Sequence, residues 1–187
     1  MSKSIPNIFF IGMLALFALL VFTQNDSNLQ QQSNAQVNNP TGSNNAFYSA
    51  KDLYVTSDPE GYGMYQERGS NVFQPGETMV LYIEPVGFKY SNLTDDQGKA
   101  LYSINFDASF TIYDKDGNVL LEPVNTPIPP VMSHNKNKEV FIPFTITQSS
   151  PFPPGEYSIN YSIMDENSGN VFDLNKNITI SGGNNNV

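Results

Sequence analysis

Between Tyr102 and Ile112 every second side chain is apolar: Tyr102, Ile104, Phe106, Ala108, Phe110 and Ile112 alternate with Ser103, Asn105, Asp107, Ser109 and Thr111. A period of two places the first set on one face of an extended chain and the second on the other. The segment therefore reads as a strand with one buried and one wetted face, whereas a helix would scatter the same residues around its circumference. The alternation recurs at Met79, Leu81 and Ile83, at Val140, Ile142, Phe144 and Ile146, and at Tyr157, Ile159, Tyr161 and Ile163. Weaker versions occupy residues 53–55, 119–121 and 172–180. No stretch beyond residue 46 keeps helical spacing over three turns. About seven strands in roughly 140 residues predict an all-β fold, an immunoglobulin-like antiparallel β-sandwich over residues 47–181.

Ahead of this domain, residues 8–22 (IFFIGMLALFALLVF) are apolar and uncharged, with Lys3 before them and Asp26 after. That arrangement marks an export signal with the start of the chain held inside. A spanning helix needs about 20 apolar residues and a cleavable signal about 7 to 15, so this run lies between the two. The nearest small-x-small site, Ser33-Asn34-Ala35, is far downstream. Residues 1–23 are accordingly expected to form a hydrophobic helix retained as a signal-anchor, single-pass in the plasma membrane with the C-terminal domain extracytoplasmic; cleavage would make the protein secreted. Residues 24–46 hold only Leu29 and Val37 as sizeable apolar groups, too few to offset the entropy of ordering, and read as a disordered linker. Residues 182–187 read as a disordered tail.

Lys plus Arg number 9 against 18 Asp plus Glu, a net charge of −9. Lys3 and Asp26 cancel, so the excess lies on the folded part, and an acidic exterior without a basic stripe excludes nucleic acid as a partner. Cysteine is absent, which removes disulfides, thiolate metal sites and a cysteine nucleophile. The 13 Phe and 10 Tyr must supply the core instead.

Turn chemistry separates the strands. Asp114-Lys115-Asp116-Gly117-Asn118 and Asn167-Ser168-Gly169-Asn170 each carry a glycine for the positive backbone angle of a tight hairpin. Asp114, Asp116 and Asn118 also suggest the start of a calcium loop, but Gly117 follows the second Asp too soon and Glu122 comes before the twelfth position. Phe73-Gln74-Pro75-Gly76-Glu77 with Tyr82 is echoed by Phe152-Pro153-Pro154-Gly155-Glu156 with Tyr161. In both, proline sets the first turn angle and glycine is expected to take a positive second one. Gly61, Gly63 and Tyr65, then Phe73, Pro75, Gly76, Glu77, Leu81, Tyr82 and Glu84, follow the pattern Gly-x-Gly-x-Tyr and Phe-x-Pro-Gly-Glu-x-x-x-Leu-Tyr-x-Glu. With residues 114–117, residues 153–157 and Asp165, Ser168 and Gly169, the segment 61–180 resembles an uncharacterised family of exported β-sandwich proteins. The resemblance implies the fold and the export, and no activity.

Few residues carry chemistry. His134 is the only histidine and lies in a polar connection with Met132, where a base or a copper ligand would lack rigid support. Asp95-Asp96 and Asp165-Glu166 are adjacent in turns, so their carboxylates point apart and read as solvated charges. Glu84 shares a strand face with Val80 and Tyr82; it is expected to pair with Lys89 or Arg68 at the surface, or to form a polar contact in a groove. Asn25, Asn92, Asn160 and Asn177 head Asn-x-Ser/Thr triplets and are possible glycosylation sites in an exported chain. These observations predict a non-enzymatic module, without cofactor or metal, tethered to the membrane and contacting an envelope protein or extracellular polymer. The alternative is a carbohydrate-binding module in which Tyr62, Tyr65, Phe88 and Tyr90 form one exposed patch for stacking on sugar rings, with Glu84 beside them.

Overall fold

The structure, a computed structural model, describes residues 46–182. The apolar run, the linker as far as residue 45, the Asn25 triplet and residues 183–187 lie outside the described residues. The described residues form eleven strands and no helix, so none crosses a membrane as a helix. One sheet has the order β1 (Tyr48–Val55), β3 (Met79–Val86), β9 (Ile142–Ile146). A second runs β2 (Val72–Phe73), β11 (Asn170–Ile180), β10 (Gly155–Asp165), β6 (Phe106–Asp114), β7 (Val119–Pro127). A third, smaller sheet joins β4 (Ser91–Thr94), β5 (Ala100–Ile104) and β8 (Val131–Ser133). All ladders are antiparallel except the parallel pairing of β2 with β11.

The alternating residues do what their period requires. Met79, Leu81, Ile83, Ile142, Phe144 and Ile146 from the first sheet share one core with Phe106, Ala108, Phe110, Ile112, Ile159, Tyr161, Ile163 and Ile178 from the second. Each such aliphatic or aromatic side chain contributes about 1.5–3 kcal/mol by leaving water. Phe110, Phe144 and Tyr161 meet at its centre, the last two edge to face at 5.1 Å.

The long strand expected over 102–112 breaks at Asn105, where the chain leaves the small sheet and joins the five-stranded one. The Asn105 carbonyl accepts the Glu166 N–H at 3.0 Å, while its side chain accepts from the Ser103 hydroxyl and donates to Asn167. Ile104 and Phe106 remain buried on either side of the break. Alternation records which side chains leave water, and it is blind to the strand each backbone group pairs with. The strands beyond the expected seven include β2, β4 and β8, of two, four and three residues, too short for a period to register.

The two Pro-Gly-Glu segments differ. Gly76 has φ +82° and Glu77 N–H donates to Gln74 O, a turn of the expected kind, but Gly155 is not in the left-handed region and opens β10 directly. Buried Gln148 joins them: its carbonyl accepts from the Gly76 and Phe152 N–H groups and its amide donates to Glu77 O. The Asp114 carboxylate accepts from the Asn118 side-chain amide, the Asn118 N–H and the Asp116 N–H, which in that order hold its pKa below the usual value. Those bonds close the β6–β7 hairpin. Strand edges are guarded by Pro123 and Pro127 on β7, Pro143 on β9 and a bulge between Ser49 and Lys51 on β1, which discourages further strands from adding.

Within the core the Tyr54 and Tyr161 hydroxyls lie 3.2 Å apart. Burial pushes Tyr54 up to about 12 and Tyr161 well above its ordinary value. The neutral phenols are favoured in the folded state, so this contribution is complete below pH 10 and is lost as pH rises from about 10 through 12. Alkaline titration followed by phenolate absorbance and circular dichroism should show these two tyrosines ionising only as the sheets unfold. Ionisation of all 10 tyrosines with the β signal intact would contradict the buried pair.

Candidate functional site

The outer face of the β1–β3–β9 sheet should be wetted, yet Val80, Tyr82 and Glu84 of β3 are as buried as the inward residues. The cover is the chain between β1 and β2. Thr56 N–H donates to Gln66 O and Arg68 N–H to Tyr54 O, so the segment returns alongside β1 and residues 57–65 form a strap. Its tip is turned by Met64 N–H to Gly61 O and Glu60 N–H to Met64 O, with Gly63 at φ +69°. Asp58 accepts from the Thr145 hydroxyl of β9, which ties the strap to the far edge of the sheet. Glycine at 63 serves the turn and brings the backbone close: Gly63 N–H donates to the Tyr82 hydroxyl at 2.8 Å.

Beneath the strap a second apolar cluster gathers Val55, Val80 and Tyr82 with Leu53, Tyr65 and Phe141. Tyr82 is held between Tyr65, at 4.4 Å, and Phe141, at 5.6 Å. Its hydroxyl donates to Glu84 Oε1 at 2.9 Å. Burial, followed by the Glu84 carboxylate, raises the Tyr82 phenol to about 12, although the Gly63 N–H offsets part of the shift. Lys51 stands opposite Glu84 in the β1–β3 register and donates to the Tyr65 hydroxyl at 2.9 Å. That bond first, then the Glu84 and Glu67 carboxylates, holds the Lys51 ammonium above its usual pKa. Tyr62 is 40% exposed and Met64 58% exposed, so these two side chains project from the strap. Desolvation and then Glu84 raise the Tyr62 phenol, and Glu139 adds to the effect.

Tyr62, Tyr65 and Glu84 therefore lie together at the strap. Phe88 and Tyr90 lie elsewhere. Phe88 packs edge to face on Phe106 and Tyr90, and Tyr90 meets Tyr102, with the Lys136 ammonium 5.6 Å and 5.2 Å from the Tyr90 and Tyr102 rings. Both are half-buried against the main core, and the Tyr90 hydroxyl donates to Asn137 O. The ring contacts thus form two groups rather than the single stacking surface expected of Tyr62, Tyr65, Phe88 and Tyr90.

Glu84 pairs with neither expected cation. Arg68 makes a two-pronged contact with Glu77 and lies over the Phe73 ring at 4.2 Å, and Lys89 offers its backbone N–H to Asp165. His134 is exposed, with Nδ1 2.8 Å from Ala100 O and Nε2 3.6 Å from Asp95, a strut between β8 and the β4–β5 turn. Met132 beside it is exposed. Asp95 caps its own turn through the Gln97 and Lys99 N–H groups. Asp165 is no solvated charge: it is wholly buried and accepts from Lys89 N–H, Asn167 N–H and the Ser168 hydroxyl. Of the Asn triplets, Asn92 and Asn177 are exposed, whereas the half-buried Asn160 amide donates to Asn175.

Lys51, Met64 and Phe141 join the site without a signal in their own sequence neighbourhood. The register that sets Lys51 against Glu84 and the crossing of the strap bring them there. Among the described residues no group of His, Cys, Asp or Glu is arranged to hold a metal ion. The arrangement offers a firm aromatic base, two projecting side chains and fixed charges, which is the equipment of a binding surface. No family model and no curated protein matches the chain.

Proposed function

We propose that the protein is a non-enzymatic, membrane-tethered extracytoplasmic module that docks on another cell-envelope protein through the strap over the β1–β3–β9 sheet. The observation that carries this reading is the exposure of Tyr62 and Met64 on a loop whose underside is fixed by Tyr65, Tyr82 and the Gly63 N–H. A preorganised loop loses little entropy when it binds, and aromatic and methionine side chains are enriched at protein interfaces. The apolar run 8–22 and the polar stretch behind it supply the tether in this reading. We also read the sandwich as immunoglobulin-like. The order β1-β3-β9 against β2-β11-β10-β6-β7, in which two early strands open opposite sheets and β2 runs parallel to β11, supports that class.

Sugar stacking is the weaker reading, because Tyr65, Phe88 and Tyr90 spend their ring faces on protein neighbours and leave Tyr62 as the exposed ring. A photo-reactive phenylalanine in place of Tyr62, activated in native envelopes, tests the docking surface. A discrete protein adduct that is absent when the same group replaces Glu122 on β7 is the expected result. Absence of any adduct, together with retention of the protein on envelope polysaccharide, would replace docking by carbohydrate binding.

A further inference from the structure

Charge around the strap is one-sided. Asp58, Glu60 and Glu67 belong to the strap and its return, Glu84 lies beneath it, and Glu139 acts on Tyr62 from the chain leading into β9. Against these five carboxylates stand Lys51, already engaged by Tyr65 and facing Glu84 and Glu67, Arg68, taken up by Glu77, and the exposed Lys138 next to Glu139. The projecting ring of Tyr62 carries a negative face and a hydroxyl in the field of Glu84 and Glu139. A guanidinium or ammonium over that ring would meet the ring quadrupole within the field of Glu84 and Glu139, while its alkyl stem would lie against Met64. From this complementarity we infer that the docking surface takes a Lys/Arg-rich segment of its protein partner. The inference rests on the docking reading above and names the chemistry of what docks. An acidic segment would be repelled, and a neutral polymer would leave the carboxylates without a counterpart.

A short Arg-Gly-Lys repeat peptide carrying one Trp is the probe, with the full chain in nonionic micelles. The chain has no Trp, so probe fluorescence anisotropy reads binding directly. The basic peptide should bind, its Glu-substituted counterpart should not, and added salt should weaken the complex. Tyr62→Ala and Glu84→Gln should each lower affinity about tenfold, whereas Glu122→Gln and Glu156→Gln on the other sheet, which remove the same charge, should change it less than about twofold. Glu139→Gln keeps the test valid should Glu84→Gln loosen the strap, because Glu139 is exposed; a loss of about threefold is expected. Equal losses from the distant variants, unchanged binding by Tyr62→Ala and Glu139→Gln, or no binding of the basic probe would each overturn the inference. A cross-linked partner that meets position 62 through a neutral or acidic segment would overturn it too, yet leave docking intact. Failure of docking itself shows separately, as the missing adduct.

Discussion

Gly87→Ala is expected to destabilise the domain by about 2–4 kcal/mol, seen as a lower denaturant midpoint at unchanged slope. Gly87 has φ +82°, and a Cβ there would overlap the Ala46 carbonyl oxygen and stand 3.2 Å from Phe47 Cα. Both obstacles are backbone, so no rotamer relieves them. The chain before β1 would have to lift away, carrying with it Phe47, whose ring stacks on Phe106 and tilts against Phe172 at 4.7 Å. Gly117→Ala separates the two causes, since Gly117 shares the φ of +82° but a methyl group there would meet nothing within 4 Å. That variant should cost about 1 kcal/mol. Equal midpoints for the two variants would mean that the close approach of the chain at Phe47 contributes nothing.

Asp165→Ala is expected to cost about 3–5 kcal/mol, because it strips three donors of a wholly buried charged acceptor. The Lys89 N–H, 2.9 Å from the carboxylate, loses this acceptor along with the Asn167 N–H and the Ser168 hydroxyl. Asn167, held by the same carboxylate, spans to Lys89 O and Ser103 O, so the turn after β10 pins the chain after β3 and the β5–β6 break together. Ser168→Ala removes one of the three donors with its bond and should cost about 1 kcal/mol. Thermal unfolding of the three proteins checks the order. An Asp165→Ala protein as stable as Ser168→Ala would remove Asp165 from its place as the hub of this corner.

The parity of β10 contained a hint of that burial. Tyr157, Ile159, Tyr161 and Ile163 point inward, and Asp165 is the next residue of the same set, so its neighbour Glu166 takes the solvent. Adjacent carboxylates do point apart, but one of the two directions is the interior. Glu84 was legible in a different way: its shared face with Tyr82 follows from position, whereas the cover that buries both comes from a strap up to 27 residues earlier in the chain.

Local chemistry alone determined that residues 47–182 are all-β, which side chains fill the core, and where the hairpin glycines fall. Each of those features depends on neighbours a few positions away, through the two-residue period of a strand and the sterics of a turn. Only the tertiary structure decided that the strand over 102–112 divides between sheets, that Lys51 faces Glu84, that Tyr62 and Phe88 part company, and that Gln148 joins the two Pro-Gly-Glu segments. Those are choices of register and crossing between distant segments. A side chain's alternation states that it leaves water, and the partner it leaves water with is set by the packing of the whole sandwich.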